Sequence, residues 1–113
     1  MTTIEVIRRD DVSLTVTITD EDNNALNING ATVYFTVKEN RFDSDDDAVI
    51  SKEVTSHEDP TAGITKISLT QADTDLTPRS YFFDVQVKDS DDKIRSIGYG
   101  LIRVQQDITI RTN

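Results

Sequence analysis

The feature that most constrains the fold of this chain is a set of short runs in which apolar and polar residues alternate. The clearest runs are residues 12–19 (VSLTVTIT), 31–38 (ATVYFTVK) and 81–88 (YFFDVQVK). Successive side chains of a β-strand point to opposite faces, so every second residue of such a run can be buried while the others meet water. The alternation predicts antiparallel sheets with one buried face and one wet face. The residues expected in the core include Val12, Leu14, Val16, Ile18, Tyr81, Phe83, Val85 and Val87.

Weaker runs lie between clusters of turn-forming residues and complete the set of strands. We place strands at residues 4–8, 12–20, 31–38, 48–55, 64–70, 81–88 and 93–104, and we expect no helix longer than one or two turns. Short strands at this spacing are typical of an immunoglobulin-like fold. The predicted fold class is therefore all-β: an immunoglobulin-like antiparallel β-sandwich of about seven strands. A chain of 113 residues suits one domain, residues 1–113, and residues 106–113 are expected to form an extended tail.

Two local features refine this prediction. Residues 76–81 (LTPRSY) resemble the corner before strand F of such sandwiches, where a tyrosine hydroxyl, here that of Tyr81, bonds back to the upstream backbone. In the last strand the apolar residues change face between Leu101 and Ile102, which predicts a β-bulge near Gly98 or Gly100. The chain has no Cys and no Trp, so it lacks the disulfide and packed tryptophan of antibody domains.

The charge of the chain excludes some classes of partner. It carries 12 basic and 21 acidic residues, for a formal net charge of −9. Nucleic acids and anionic membranes attract basic surfaces, so we expect neither as a partner. The absence of Cys excludes a disulfide, a thiolate nucleophile and a zinc–thiolate site. No signal peptide or membrane-spanning segment is visible in the sequence.

Catalytic chemistry has few candidate residues. The single histidine, His57, lies in a turn-like stretch (SHEDP), and no nucleophile-elbow pattern surrounds any Ser, so we interpret His57 as part of a solvated loop. Phe35, Tyr81 and Phe83 fall on strands and are expected in the core rather than on a sugar-binding platform. We therefore predict that the chain is not an enzyme, with no catalytic residues and no cofactor.

Two acidic segments raise the question of a calcium site. Residues 43–47 (DSDDD) and 89–92 (DSDD) supply the carboxylate oxygens that Ca²⁺ prefers, but the EF-hand spacing and its terminal Glu are absent. Solvated acidic turns account for both segments, and we assign no metal-binding residue. A calcium-assisted module that binds a sugar or a host surface, using the 43–47 loop and an exposed Phe42, stays open as the alternative function.

The ordered set of segments resembles a group of small phage and prophage structural proteins with an immunoglobulin-like fold, related to the N-terminal region of phage baseplate upper proteins. One departure from the family pattern is Arg79, where a Gly would be expected before the Tyr. A second departure is that the chain ends near residue 113, without the downstream region of longer relatives. The segments that carry the resemblance are IRRDD at 7–11, NGATVYFTVK at 29–38, DDDAVI at 45–50, GITKISLT at 63–70, ADTDL at 72–76, YFFDVQV at 81–87, Gly100 and DIT at 107–109.

The resemblance implies a virion component of the tail or baseplate that acts through protein–protein contacts. Its expected partners are other virion proteins, in a homo-oligomer or multi-copy assembly, and its expected location is the virion, after synthesis in the cytoplasm of the bacterial host. No catalytic residues carry over from the family pattern. Exposed sheet edges and multiple weak contacts in a symmetric particle are compatible with such a role.

Overall fold

The fold consists of seven strands in two sheets. A computed structural model describes residues 2–20 and 22–108. One turn of α-helix and two short 3₁₀ segments (Asp45–Asp47 and Pro60–Ala62) lie between the strands. The elements in chain order are β1 (Thr2–Ile7), β2 (Val12–Thr17), β3 (Thr32–Lys38), β4 (Ile50–Val54), β5 (Ile64–Leu69), α1 (Gln71–Thr74), β6 (Arg79–Lys88) and β7 (Ile94–Gln105). The all-β prediction is confirmed. Residues 109–113 of the predicted tail lie outside the described residues, and 106–108 continue beyond β7 without regular structure.

The larger sheet has the strand order β1-β7-β6-β3-β4, and the smaller sheet is the pair β2-β5. All of these pairings are antiparallel except that of β1 with β7, which is parallel. The prediction of a purely antiparallel arrangement is therefore wrong at this edge. The physical reason is connectivity: β1 leads into β2 of the other sheet, so no hairpin forces β1 to run against its neighbour. The first strand, β1, lies at one edge of the larger sheet.

One hydrophobic core contains residues from both sheets. Alternate residues of β3 and β6 are buried, among them Phe35 and Tyr81, each only 1% exposed. From the smaller sheet, Ile67 and Leu69 are buried, and the apolar side chains of β2 pack against the same cluster. The phase predicted from the alternation is thus confirmed in both sheets. The buried apolar residues are Val6, Ile18, Ile28, Ala31, Val33, Phe35, Val37, Ile50, Ile67, Leu69, Tyr81, Phe83, Val85, Val87, Ile102 and Val104.

The two local predictions are also confirmed. The Tyr81 hydroxyl donates a hydrogen bond to the Thr77 carbonyl oxygen at 2.6 Å, which is the corner expected before β6. The β6–β7 register pairs Val85 with Gly98 but Gln86 with Ser96, so one residue of β7, at position 97, is bulged out beside Gly98. The bulge leaves Ile97 packed against the core, but the register is unbroken from Gly98 to Val104. The apolar residues change face after Leu101 because Tyr99 and Leu101 lie on the outer side of the sheet, opposite Asp84 and Phe82. No helix in the described part of the chain is long and apolar enough to span a membrane.

Candidate interaction face

The outer face of the larger sheet is concave and encloses a depression of about 700 Å³. Its floor comes from the side chains of β3, β4, β6 and β7 that point away from the core, and the loop of residues 40–47 adds a wall. We call this surface the outer face. Its floor has polar, charged and aromatic side chains side by side, and the central ones are Tyr34, Thr36, Lys38, Phe82, Asp84, Gln86 and Tyr99.

Asp84 lies at the centre of the outer face. The strand register places it directly opposite Thr36 on β3 and Tyr99 on β7. Side chains that oppose one another in an antiparallel pair have Cβ atoms about 4.5–5.5 Å apart. Phe82 and Gln86 precede and follow Asp84 on the same face of β6, because side chains alternate along a strand. The Asp84 carboxylate thus lies in the same cross-strand row as the Thr36 hydroxyl and the Tyr99 phenol ring.

The surroundings of Asp84 disfavour its charged form. Burial raises the pKa of Asp84 above its usual value; the charge of Lys38 opposes this effect, and the negative charge of Asp45 adds to it. Lys38 does not pair with Asp84, because its ammonium Nζ is 2.8 Å from Asp45 Oδ1 and donates to the Asp43 carbonyl at 2.9 Å. Among the described residues, no hydrogen bond or ion pair is made by the Asp84 carboxylate.

The 40–47 loop is attached to the outer face by cations. Lys38 joins the loop to β3 through the contacts to Asp43 and Asp45. Arg41 extends back over the sheet, with its guanidinium carbon 5.9 Å from the centre of the Tyr99 ring. Tyr99 is 62% exposed, so this stacking leaves most of its side chain available. The loop therefore forms a wall beside Asp84 without covering it.

The acidic segments considered for calcium are engaged in local hydrogen bonds. Asp43 Oδ2 accepts from the Asn40 amide at 3.1 Å, and Asp45 pairs with Lys38. In the hairpin between β6 and β7, Asp89 Oδ1 accepts from the amides of residues 91 and 93. Within residues 2–20 and 22–108, no three His, Asp or Glu side chains come together as a metal-binding group. These carboxylates thus bond to amides of their own turns and to Lys38.

His57 lies in a loop, as predicted, but its ring is not fully solvated. Its ring is half-buried, Nε2 is 2.8 Å from the Ala31 carbonyl oxygen, and Nδ1 is 2.9 Å from Thr65 Oγ1. A carbonyl only accepts, so Nε2 carries the proton, and in the neutral ring Nδ1 accepts from the Thr65 hydroxyl. His57 thus links Ala31, the residue before β3, to Thr65 in β5. Its hydroxyl partner, Thr65, is 0% exposed.

The aromatic residues divide between the two faces of the larger sheet. Phe35, Tyr81 and Phe83 are in the core, as predicted, and the Phe35 and Phe83 rings lie 5.7 Å apart. The sequence analysis did not find that Tyr34, Phe82 and Tyr99 share the outer face. The sequence did contain an indication of this grouping. A strand with one solvent-exposed face needs apolar residues only at alternate positions, but β3 and β6 carry aromatic residues at both sets of alternate positions.

No protein-family model matches the chain, and no curated protein shows significant similarity to it.

Proposed function

We propose that this chain is a non-catalytic structural domain of a phage or prophage particle, in the tail or baseplate, and that it acts through protein–protein contacts. The proposal includes an immunoglobulin-like arrangement of the seven strands. The Tyr81–Thr77 hydrogen bond supports that arrangement, because it closes the corner that precedes strand F in such sandwiches. The ordered resemblance described above, from residue 7 to residue 109, supports the virion role.

The observation that carries the interaction role is the outer face. Most strand side chains that point away from a core are small or polar. The outer face instead presents three aromatic side chains around a depression of about 700 Å³. Tyr side chains are enriched where proteins contact one another, since they bury a large area at a small cost in conformational entropy. Tyr99 and Ile94 at this face are each more than 60% exposed (62% and 61%), so a partner has apolar area to bury there.

The experiment that tests the role is an analysis of purified particles. Particles released from the host are separated on a density gradient, and their proteins are quantified by mass spectrometry against a known tail protein. We expect the chain at a fixed stoichiometry in the particle fraction, and defective or tailless particles when an early stop codon removes it. Intact, infectious particles without the chain would contradict the proposal.

The alternative function is a module that binds a sugar or a host surface, and the same outer face is the observation that favours it. Aromatic rings beside carboxylate and amide groups are also the chemistry of a sugar site. The two functions differ in their readout: a sugar site predicts that an oligosaccharide shifts the NMR signals of residues 34, 82 and 99 in the isolated chain. The calcium-assisted form predicts that millimolar Ca²⁺ raises Tm, since a ligand that binds only the folded state stabilises it.

A further inference from the structure

We propose that the outer face binds an arginine side chain presented by a basic segment of a partner protein, with Asp84 as the counter-ion and Tyr99 as the stacking surface. This inference rests on the proposed function, since it specifies the chemistry of the partner in the same protein–protein contact. Three observations carry it: the position of Asp84, the engagement of the nearby cations, and the charge of the chain.

The position of Asp84 is costly unless a ligand uses it. Asp is a poor residue for the interior of a strand, and β6 is the middle strand of the five-stranded sheet. A half-buried carboxylate without a hydrogen-bond donor also loses solvation. Thr or Gln, which occur at neighbouring outward positions (Thr36 and Gln86), would avoid both costs. Local violations of this kind are concentrated at functional sites.

The cations nearest to Asp84 are held elsewhere. Lys38 is 19% exposed and its ammonium group is occupied by Asp45 and the Asp43 carbonyl. Arg41 stacks over Tyr99 and forms no hydrogen bond or ion pair through its side chain within the described residues. An external cation can therefore approach Asp84 from solvent without displacing an ion pair. The Arg41 contact shows that a guanidinium can lie over the Tyr99 ring, and the partner's arginine displaces Arg41 when it stacks on the same side of that ring.

A guanidinium fits this combination of groups better than an ammonium. It is planar, donates two parallel hydrogen bonds to a carboxylate and stacks on an aromatic face, whereas an ammonium is a compact and strongly hydrated charge. Thr36 and Gln86 beside Asp84 offer further acceptor oxygens for the remaining N–H groups. The depression of about 700 Å³ exceeds one side chain, so it can also hold the neighbouring residues of the segment.

The net charge of the chain favours the same partner. A formal charge of −9 produces a negative potential that attracts basic segments and speeds their encounter. Other occupants fit less well. Within the described residues there is no group of three ligands for a metal, and an acidic segment would be repelled. A sugar would leave the charge of Asp84 without a counter-ion.

The test is a titration of the ¹⁵N-labelled chain with a pentapeptide, acetyl-Gly-Ser-Arg-Ser-Gly-amide, followed by NMR. The matched peptide carries citrulline, which has the same shape as arginine but no charge. We expect saturable shifts at residues 36, 84 and 99 with a Kd of about 1 mM, and binding of the citrulline peptide at least about tenfold weaker. Binding should weaken as salt concentration rises.

Three variants locate the site. Asp84→Asn keeps the size of the side chain and removes its charge. We expect this variant to bind the arginine peptide at least about tenfold more weakly than wild type. Tyr99→Leu removes the stacking surface at an exposed position and is expected to weaken it about threefold. Asp22→Asn, at an exposed turn outside the outer face, loses the same charge and is the control, with an expected change below about twofold. Each variant is first melted to show that it folds.

Several outcomes would overturn the inference: equal binding of the peptide to wild type and Asp84→Asn, an equal loss in Asp22→Asn, or no saturable shift up to about 20 mM peptide. A sugar that shifts the same residues when the arginine peptide does not would also overturn it, in favour of the alternative function. Particle analysis separates this test from the proposed function. If the chain is present in particles but the Asp84→Asn variant assembles normally, the arginine-binding inference fails and the proposed function stands. If the peptide binds but the chain is absent from particles, the proposed function fails and the arginine-binding site stands.

Discussion

Replacing His57 by Ala tests whether this residue links β5 to the approach to β3. The substitution removes two hydrogen bonds, one to Thr65 Oγ1 at 2.9 Å and one to the Ala31 carbonyl at 2.8 Å. Both partners are in buried residues, with Thr65 0% and Ala31 4% exposed, so water cannot readily replace the ring. A buried polar group left without a partner costs about 1–3 kcal/mol, which for two groups gives a loss of about 3 kcal/mol.

The loss is large enough to measure by thermal unfolding. An unfolding entropy of about 2.1 cal/mol/K per residue gives about 0.24 kcal/mol/K for 113 residues, so a loss of 3 kcal/mol corresponds to a fall in Tm of about 12 °C. The assay is calorimetry or circular dichroism at neutral pH, supported by urea unfolding to obtain the free energy directly. Ser56→Ala, at an exposed side chain of the same turn, is the matched control and should change the stability by less than about 0.5 kcal/mol.

A double-mutant cycle separates the hydrogen bonds from the loss of packing. Thr65→Val removes the buried hydroxyl, so in the His57→Ala background it should recover about 1 kcal/mol, whereas in the wild-type background it should destabilise. If His57→Ala lies within about 0.5 kcal/mol of wild type, the ring is solvated in solution and the structural role assigned here is wrong.

Five further substitutions test other parts of the structure. Tyr81→Phe removes the hydroxyl of the corner and should cost about 1 kcal/mol in urea unfolding, since its acceptor lies in an exposed residue and can be hydrated. Gly63→Ala places a Cβ against the backbone oxygens of Ile18 and Leu26 at φ +73° and should cost more than about 2 kcal/mol. Gly98→Ala, whose Cβ meets no atom within 4 Å among the described residues, should stay within about 0.5 kcal/mol of wild type. Burial alone would raise the pKa of Asp73, but hydrogen bonds from the Lys52 ammonium and from Thr70 lower this pKa below its usual value. The stability that the Asp73 carboxylate provides is therefore present above the unfolded-state pKa and is lost as pH falls through the folded-state pKa. Asp73→Asn should destabilise the fold by about 1 kcal/mol at pH 7 and have little effect at about pH 2. The pH dependence of stability has the opposite sign for Asp84. Because its pKa is raised in the folded protein, stability falls as pH rises through the folded-state pKa. Asp84→Asn should therefore stabilise the fold by about 0.5 kcal/mol at pH 7, and the difference from wild type should vanish at about pH 3.

The strands and their buried phase were predictable because they depend on local alternation. In β3 and β6 every second residue is buried, as the pattern of apolar residues indicates. The corner at Tyr81 was predictable for a related reason, since its hydroxyl reaches only four residues back along the chain, to Thr77. The position of the bulge, beside Gly98, agrees with the prediction, but the change of face between Leu101 and Ile102 has another cause, since Leu101 lies on the outer side of the sheet.

The features that sequence analysis missed depend on contacts between distant parts of the chain. The Ala31 carbonyl is 26 residues from His57, and no local pattern indicates that the two meet. The parallel pairing of β1 with β7 joins the two ends of the described chain, so its direction depends on the route of the chain between the sheets.

The outer face also depends on such contacts. Asp84 and Tyr99 come from different strands, and only the β6–β7 register places them opposite each other. Without the bulge at position 97 the register would place Tyr99 opposite Phe83, on the core face, and the bulge shifts it by one residue to lie opposite Asp84. The aromatic residues at both phases of β3 and β6 could have been recognised as unusual, but their grouping around one carboxylate could not.

The most direct test of the whole account is photo-cross-linking in assembled particles. A photoreactive amino acid is placed at Tyr99, on the outer face, or at Thr15, an exposed position of β2 in the smaller sheet. Purified particles are irradiated, and the cross-linked products are identified by mass spectrometry. We predict that position 99 cross-links to another virion protein through a segment containing arginine and that position 15 does not. Absence of the chain from particles, or cross-links from position 15 alone, would contradict the account.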